Sequence, residues 1–224
     1  MMEEARAYQE LRVGFTAAVS HELRTPLARL LALLDSASLP GGDRDDLLAQ
    51  AREQVEQMTE LVNDVLFLSE LESGREVVAL GGTEVLPVLE EVRDRLRNSA
   101  ENADITIRID AEPGVELPLR RRMLQTVVEN LALNSVRYAG PGATLTLSAS
   151  PGVLEVSDDG RGVEEDELPR LFERFYRSDR ARASRGTGLG LAIVKHVVVS
   201  AGGGVEASGG PGRGLQVVCS FPAL

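Results

Sequence analysis

The spacing of apolar residues over the first third of the chain restricts its fold more than any other feature. Phe15, Val19, Leu23, Leu27, Leu30 and Leu34 recur at intervals of four, four, four, three and four. That is the period of one helix face. Leu39-Pro40-Gly41-Gly42-Asp43 breaks the pattern and leaves Asp43 where a helix N-cap belongs. Leu48, Ala51, Val55, Met58, Val62 and Val65 then alternate at three and four, an a/d seam. No strand-like alternation occurs between residues 3 and 72. The spacing predicts two long helices in an antiparallel hairpin, each of about 30 residues and about 45 Å. One hairpin cannot cover two apolar faces, whereas two hairpins in a dimeric four-helix bundle can. A generic coiled-coil dimeriser would show the same period.

The texture changes between Gly74 and Gly81-Gly82, which places a domain boundary there: residues 1–77 as the helical hairpin and 78–224 as a second domain. Val88–Ala100 reads as a helix, Ile105–Ile109 as a strand and Arg120–Tyr138 as a helix with Leu124, Val127, Val128 and Leu131 inward. Thr144–Ala149 and Val153–Ser157 flank Pro151-Gly152 as a hairpin. Glu164–Arg185 is polar, arginine-rich and aperiodic, a loop or lid. Leu189–Ser200 is helical, and Val205–Ser208 and Leu215–Phe221 are strands. Leu215, Val217, Cys219 and Phe221 share one strand face, which makes Cys219 a core residue. Grouped helices with a mostly antiparallel sheet predict an α+β sandwich.

Composition removes several classes of function. Lys and Arg total 24 against 35 Asp and Glu, a formal charge of −11, whereas a nucleic-acid partner asks for a positive footprint. No apolar run reaches about 18 residues, so no membrane-spanning helix and no membrane contact by this stretch is expected. Cys219 is the sole cysteine and there are two histidines, which rules out an intrachain disulfide and disfavours a zinc cluster. Histidine chemistry, if present, belongs to His21 or His196.

His21 lies two residues past Val19, about 200° around the helix from the apolar stripe, and so faces solvent. Glu22 is adjacent, Thr25 shares the exposed face, and Pro26 within the helix cannot donate to the Glu22 carbonyl. A neutral imidazole can attack through one nitrogen while a carboxylate holds the proton on the other. Taken alone, His21 reads first as a solvated surface residue. His196, beside Lys195 and with no acid adjacent, reads as a structural or surface residue.

Asn130, Asn134 and Arg137 fall on one helix face opposite the apolar row. Amide oxygens suit Mg²⁺, and a guanidinium suits phosphate; a solvated polar face has the same pattern. Asp158-Asp159-Gly160-Arg161-Gly162 follows a strand, where a carboxylate can accept a hydrogen bond from a ligand amine or simply begin a turn. Gly186-Thr187-Gly188-Leu189-Gly190 opens a helix whose free N–H groups favour an anion. It is neither a Walker A loop nor a Rossmann glycine motif. Arg177, Arg180, Arg182 and Arg185 form a basic run beside it, suited to phosphate or to solubility. Gly210-Pro211-Gly212-Arg213-Gly214 precedes the last strand and reads as a hairpin turn.

Together these strings resemble the sensor histidine kinases of two-component systems. Ser20-His21-Glu22-Leu23-Arg24-Thr25-Pro26-Leu27 resembles their phosphoacceptor box, and the hairpin around it their dimerisation and histidine-phosphotransfer domain. Asn130 to Tyr138 resembles the N box, Asp158 to Gly162 the D-x-G-x-G box, Leu171 to Arg177 the F box and Gly186 to Gly190 the second glycine box. Gly210 to Gly214 matches a weak final glycine box. Five boxes stand in family order with family spacing, over residues 8 to 222.

The resemblance implies a Bergerat-type (GHKL) α+β two-layer sandwich over residues 78–224 that binds ATP with Mg²⁺. It implies a homodimer through the hairpin, and a response-regulator receiver domain as partner. His21 is then the phosphoacceptor and Glu22 its base or proton holder. Thr25 stands where family members orient water to dephosphorylate their regulator. Asn134 becomes the Mg²⁺ ligand, Asn130 and Arg137 assist at the phosphates, and Tyr138 lies near the adenine. Asp158 accepts from the adenine amine within the Gly160/Gly162 turn, and Arg185 joins Gly186, Thr187, Gly188, Leu189 and Gly190 at the phosphates. Asp159 departs from the Asn more often found after that Asp. The implied setting is the cytoplasmic catalytic portion of a longer protein, often one anchored in a membrane. A Bergerat-fold ATPase that drives a conformational cycle, or a non-catalytic dimer scaffold, are the competing expectations.

Overall fold

The computed structural model describes residues 2–38, 43–74, 78, 81–178 and 186–223, with side chains from Thr16 onward. Residues 39–42, the Phe15 side chain, Arg180, Arg182 and Arg185 lie outside the described residues. The chain divides into two compact units, Met1–Phe67 and Leu68–Leu224.

In the first unit, α1 runs Met2–Ala37 and α2 runs Arg44–Glu72, its last turn entering the second unit. Asp43 caps α2 as expected, its Oδ1 accepting from the backbone N–H groups of Asp45 and Asp46 at 3.2 Å each. Those two residues also put negative charge at the positive end of the helix dipole. Leu30, Leu34, Leu48, Ala51 and Val55 line an open apolar groove of about 580 Å³ between the two helices.

Each helix carries two apolar rows rather than the single seam the sequence suggested. On α2, Ala51 and Leu61 are buried, with Met58 and Val65 half-buried along the same line. On α1, Leu23, Leu30 and Leu33 are half-buried. The second rows stay open to solvent: Leu27, Leu31, Leu34, Leu48, Val55, Val62 and Leu66 are 42–57% exposed, with Leu34, Leu48 and Val55 along that open groove. Spacing alone merges the rows, because a three-four alternation is compatible with either when both are apolar.

The second unit is a five-stranded sheet under three helices. Its elements are β1 (Thr83–Glu84), α3 (Val85–Asn102), β2 (Thr106–Ala111), β3 (Glu116–Leu117), α4 (Arg121–Tyr138), β4 (Thr144–Ser150), β5 (Val153–Asp158), α5 (Gly190–Ser200), β6 (Gly204–Gly209) and β7 (Leu215–Ser220). A short 3₁₀ turn, Leu168–Arg170, follows β5. The strand order is β2-β4-β5-β7-β6, with β2 and β4 parallel and the rest antiparallel.

Period-two alternation supplies one sheet layer: Leu145 and Leu147 of β4, Leu154 and Val156 of β5, and Val217 and Cys219 of β7 are buried. Register aligns them, Leu147 opposite Val156, Val156 opposite Val217 and Leu154 opposite Cys219. The helices supply the other layer through Val85, Val88, Leu89, Val92 and Leu96 on α3 and Met123, Leu124, Val127, Val128 and Leu131 on α4. On α5 it is Ile193, Val194, Val197 and Val198. Each fully buried large side chain contributes about 1.5–3 kcal/mol of hydrophobic stabilisation. Cys219 belongs to this core, and burial pushes its thiol up to about 12, out of the reactive range.

The two-residue strands β1 and β3 pair with each other, Thr83 opposite Leu117, and Thr83 Oγ1 donates to the Leu119 carbonyl at 2.6 Å. Elements that short have no period to read.

Candidate functional site

In the first unit, His21 stands on α1 with 75% of its side chain exposed. Its Nδ1 is 3.6 Å from Glu22 Oε1, within ion-pair reach but longer than a hydrogen bond. Ser20 Oγ donates back to the Thr16 carbonyl at 2.8 Å, and Pro26 interrupts the ladder one turn on. The helix runs unbroken through both features. Thr25 is exposed on the same face. The arrangement offers an accessible imidazole with a carboxylate near one ring nitrogen.

In the second unit the site forms on the polar side of α4. The helix turns Met123, Leu124, Val127, Val128, Leu131 and Ala132 into the core; Asn130, Asn134 and Tyr138 are half-buried along the flank of that row, and Arg137 is exposed. Asn130 Nδ2 donates to the Thr126 carbonyl at 2.8 Å, which fixes its amide. Its oxygen then faces α5: a Cβ at Gly190 would sit against Asn130 Oδ1 and 3.4 Å from its Cγ. Gly190 is therefore where the glycine box meets the N box. At the start of that box, the space beside Gly186 is bounded by the Tyr138 hydroxyl, 3.0 Å from a would-be Cβ, and by Arg137 Nη1 at 3.8 Å.

Asp158, at the end of β5, is held from two sides. Ser135 Oγ donates to its Oδ2 at 2.8 Å, and the Gly160 N–H donates to its Oδ1 at 3.1 Å. The neighbouring Asp159 has a separate task. Its Oδ1 accepts the Thr144 N–H at 2.6 Å, tying the start of β4 to the turn. The substitution of Asp for Asn at that position thus keeps an acceptor where a backbone donor needs one.

The roots of the lid region meet at Phe175. Its N–H donates to the Gly188 carbonyl at 2.9 Å, and its φ is 61°. A left-handed phenylalanine is strained and is held here by the close passage of Gly188, whose Cβ position lies 2.9 Å from Phe175 Cα. Tyr176 donates to Glu167 Oε1 at 3.1 Å and lies under the Arg170 guanidinium at 4.4 Å. Burial and the Glu167 carboxylate raise its phenol above the usual tyrosine range. Inside the box, the Leu189 N–H donates to Thr187 Oγ1 at 3.2 Å and the Leu189 side chain is fully buried.

The structure thus brings Asn130, Arg137, Tyr138, Gly186 and Gly190 together. It seats Asp158 one strand away on a hydrogen bond from Ser135, a residue of α4 itself. Ser135 was not singled out from the sequence, although a signal existed. It occupies the buried row of α4, 5% exposed, and a buried hydroxyl in an apolar row requires a partner. His196, half-buried on α5, remains outside this constellation.

The first unit thus carries an accessible His–Glu pair on a long helix, and the second is an α+β sandwich in which α4 meets a glycine-opened helix. Residues 11–74 match the His Kinase A (phospho-acceptor) domain. Residues 119–224 match the histidine kinase-, DNA gyrase B- and HSP90-like ATPase domain, so the second unit is an ATP-binding domain. The chain is 33% identical to the sensor-like histidine kinase SenX3 of Mycolicibacterium smegmatis, over 98% of this chain and 59% of that protein. The solved structure of Acinetobacter baumannii histidine kinase AdeS superposes with a TM-score of 0.70 at 25% identity, over 90% of this chain and 97% of that one. Histidine kinase ThkA, solved in complex with response regulator protein TrrA, shares the fold at a TM-score of 0.76 and 18% identity, over 99% of this chain and 65% of that one. The chain belongs to the sensor histidine kinases of bacterial two-component systems. It spans 54–59% of the length of the SenX3 proteins it matches.

Proposed function

We propose that this chain phosphorylates itself on His21 with ATP and passes the phosphoryl group to an aspartate of a response regulator. The observation that carries the reading is the exposed His21 beside Glu22, within a segment matched by the phospho-acceptor family. The unprotonated ring nitrogen of His21 attacks the γ-phosphorus, forming an N–P bond as the bond to the β-phosphate oxygen breaks and ADP leaves. Glu22 holds and then accepts the proton on Nδ1. Thr25 orients a water for the reverse task, dephosphorylation of the regulator.

At the nucleotide, Asp158 accepts from the adenine amine, Tyr138 lies near the base, and Arg137 with the Gly186–Gly190 box meets the phosphates. Asn134 holds Mg²⁺, with Asn130 assisting. Two features support this fit: Asn134 is half-buried, and its amide has no hydrogen-bond partner among the described residues. One hard oxygen with substrate phosphates and waters is an ordinary Mg²⁺ set, and the ion supplies charge neutralisation at the phosphates. The functional boundary falls between residues 77 and 78, and the outward apolar rows of α1 and α2 bury themselves in a dimeric four-helix bundle. The bound response regulator of ThkA supports a receiver domain as the partner.

Incubation with γ-labelled ATP tests the reading. An acid-labile, base-stable label is expected on the parent and on His196→Ala, and none on His21→Ala. Turnover of ATP with no labelled protein would instead establish a plain ATPase.

A further inference from the structure

The Gly210–Gly214 turn, which reads from sequence as an ordinary hairpin, is packed onto the backbone that carries Asp158. Gly214 donates its N–H to the Gly160 carbonyl at 3.1 Å, and Gly212 donates to the Arg161 carbonyl at 2.8 Å. The next residue, Leu215, points its N–H at Asp158 Oδ1 at 3.4 Å. Arg213 closes the outside through Nη2 to Glu165 Oε1 at 2.7 Å.

The approach leaves no room for a side chain. A Cβ at Gly214 would coincide with the Asp158 carbonyl oxygen and lie 2.6 Å from its carbonyl carbon and 3.0 Å from Asp159 Cα. On the facing segment of the contact, a Cβ at Gly162 would clash with the Gly210 carbonyl oxygen and lie 2.8 Å from that of Gly214. Gly212, at the tip, has a φ of 69°, close to the 72° of Gly214, yet a Cβ there meets nothing within 4 Å.

We propose that Gly214 is a positioning residue for nucleobase selection: the turn it anchors is the third support of Asp158, beside Ser135 and Gly160, and fixes the direction in which the carboxylate accepts the base's exocyclic amine. The inference rests on the assignment of Asp158 to the base. An acceptor held on three sides discriminates by direction. Adenine presents an amine where guanine presents a carbonyl, and a carboxylate facing a carbonyl sets two acceptors against each other with no hydrogen between them. Moving the Asp158 backbone by even part of a methyl radius swings that acceptor, while the phosphate contacts at Gly186–Gly190 stay where they are.

The experiment uses the full 224-residue chain and titration calorimetry with Mg·ATP and, separately, Mg·GTP. Gly214→Ala and Gly212→Ala carry the same left-handed backbone cost, but only the former meets Asp158. Gly214→Ala is expected to lower the ATP-to-GTP affinity ratio about tenfold, and Gly212→Ala to keep it within about twofold of the parent. Because Gly214→Ala can fail to fold, Arg213→Ala provides a milder release of the same turn. Arg213 and Glu165 are both well exposed, so its melting temperature should match the parent while the ratio falls about two- to threefold. Asp158→Asn separates the two levels of the argument. A ratio that falls in Asp158→Asn but holds in both Gly214→Ala and Arg213→Ala overturns the proposal alone. A ratio that holds in Asp158→Asn overturns the assignment of Asp158 to the base, and the proposal with it.

Discussion

The two units solve the same problem, hiding apolar surface, in opposite ways. The sandwich closes on itself: Leu124, Leu145, Leu147, Leu154 and Leu189 are fully buried within one chain. The helical hairpin stops halfway, with one row of each helix turned in and seven large apolar side chains left 42–57% exposed. A sheet with three helices laid on it has an inside, whereas two helices have only a contact line and need further helices to make a core. The nucleotide domain is therefore complete as a monomer, and the phosphoacceptor domain asks for a partner. On the proposed reading, that asymmetry suits an imidazole that must remain accessible and a nucleotide that must be held rigidly.

The comparison can be broken most severely at the nucleotide. Asn134→Ala should reduce autophosphorylation by at least about a hundredfold and leave the oligomeric state unchanged in sedimentation. Full activity would remove Asn134 from the metal and detach the polar face of α4 from catalysis. At the hairpin, Val55→Asp puts a charge into the outward row and should turn a dimer into a monomer at micromolar concentration. Because the sandwich is self-contained, ATP binding should stay within about twofold. A Val55→Asp chain that still sediments as a dimer would refute the bundle.

Two smaller effects sharpen the contrast. Leu124→Ala, in the closed core, should cost about 2–5 kcal/mol in denaturant unfolding of the second unit, without altering dimerisation. Asp43→Ala removes the two cap bonds to Asp45 and Asp46 and should cost about 0.5–2 kcal/mol of hairpin stability, with the sandwich transition unmoved. A coincident shift of both transitions in either variant would mean that the units do not unfold separately.

The helices of both units were legible because a 3.6-residue period survives in the order of residues. Asp43 as a cap and Cys219 as a core residue were legible for similar local reasons. The strings proposed to carry the chemistry could be picked out too, since glycine and amide spacing along one element is itself a linear property. The two apolar rows of the hairpin were not separable, because both obey the same alternation and only burial distinguishes them. Strands β1 and β3 were invisible, being two residues each. Ser135 went unremarked because its partner, Asp158, is 23 residues away. The strained φ of Phe175 left no mark in the sequence, since its cause is a contact with Gly188.

By itself, the order of residues determined which of the longer segments are helix or strand, that His21 is exposed, and which acids, amides and glycines stand together along one element. These depend on periodicity and on the intrinsic chemistry of side chains. Only the tertiary structure decided which of two apolar rows is covered, that Ser135 holds Asp158, that Asp159 serves the backbone of β4, and that Gly214 bears on the Asp158 carbonyl. Each of these is a contact between residues far apart in sequence, and its energy depends on distances of a few ångströms that a linear pattern does not contain.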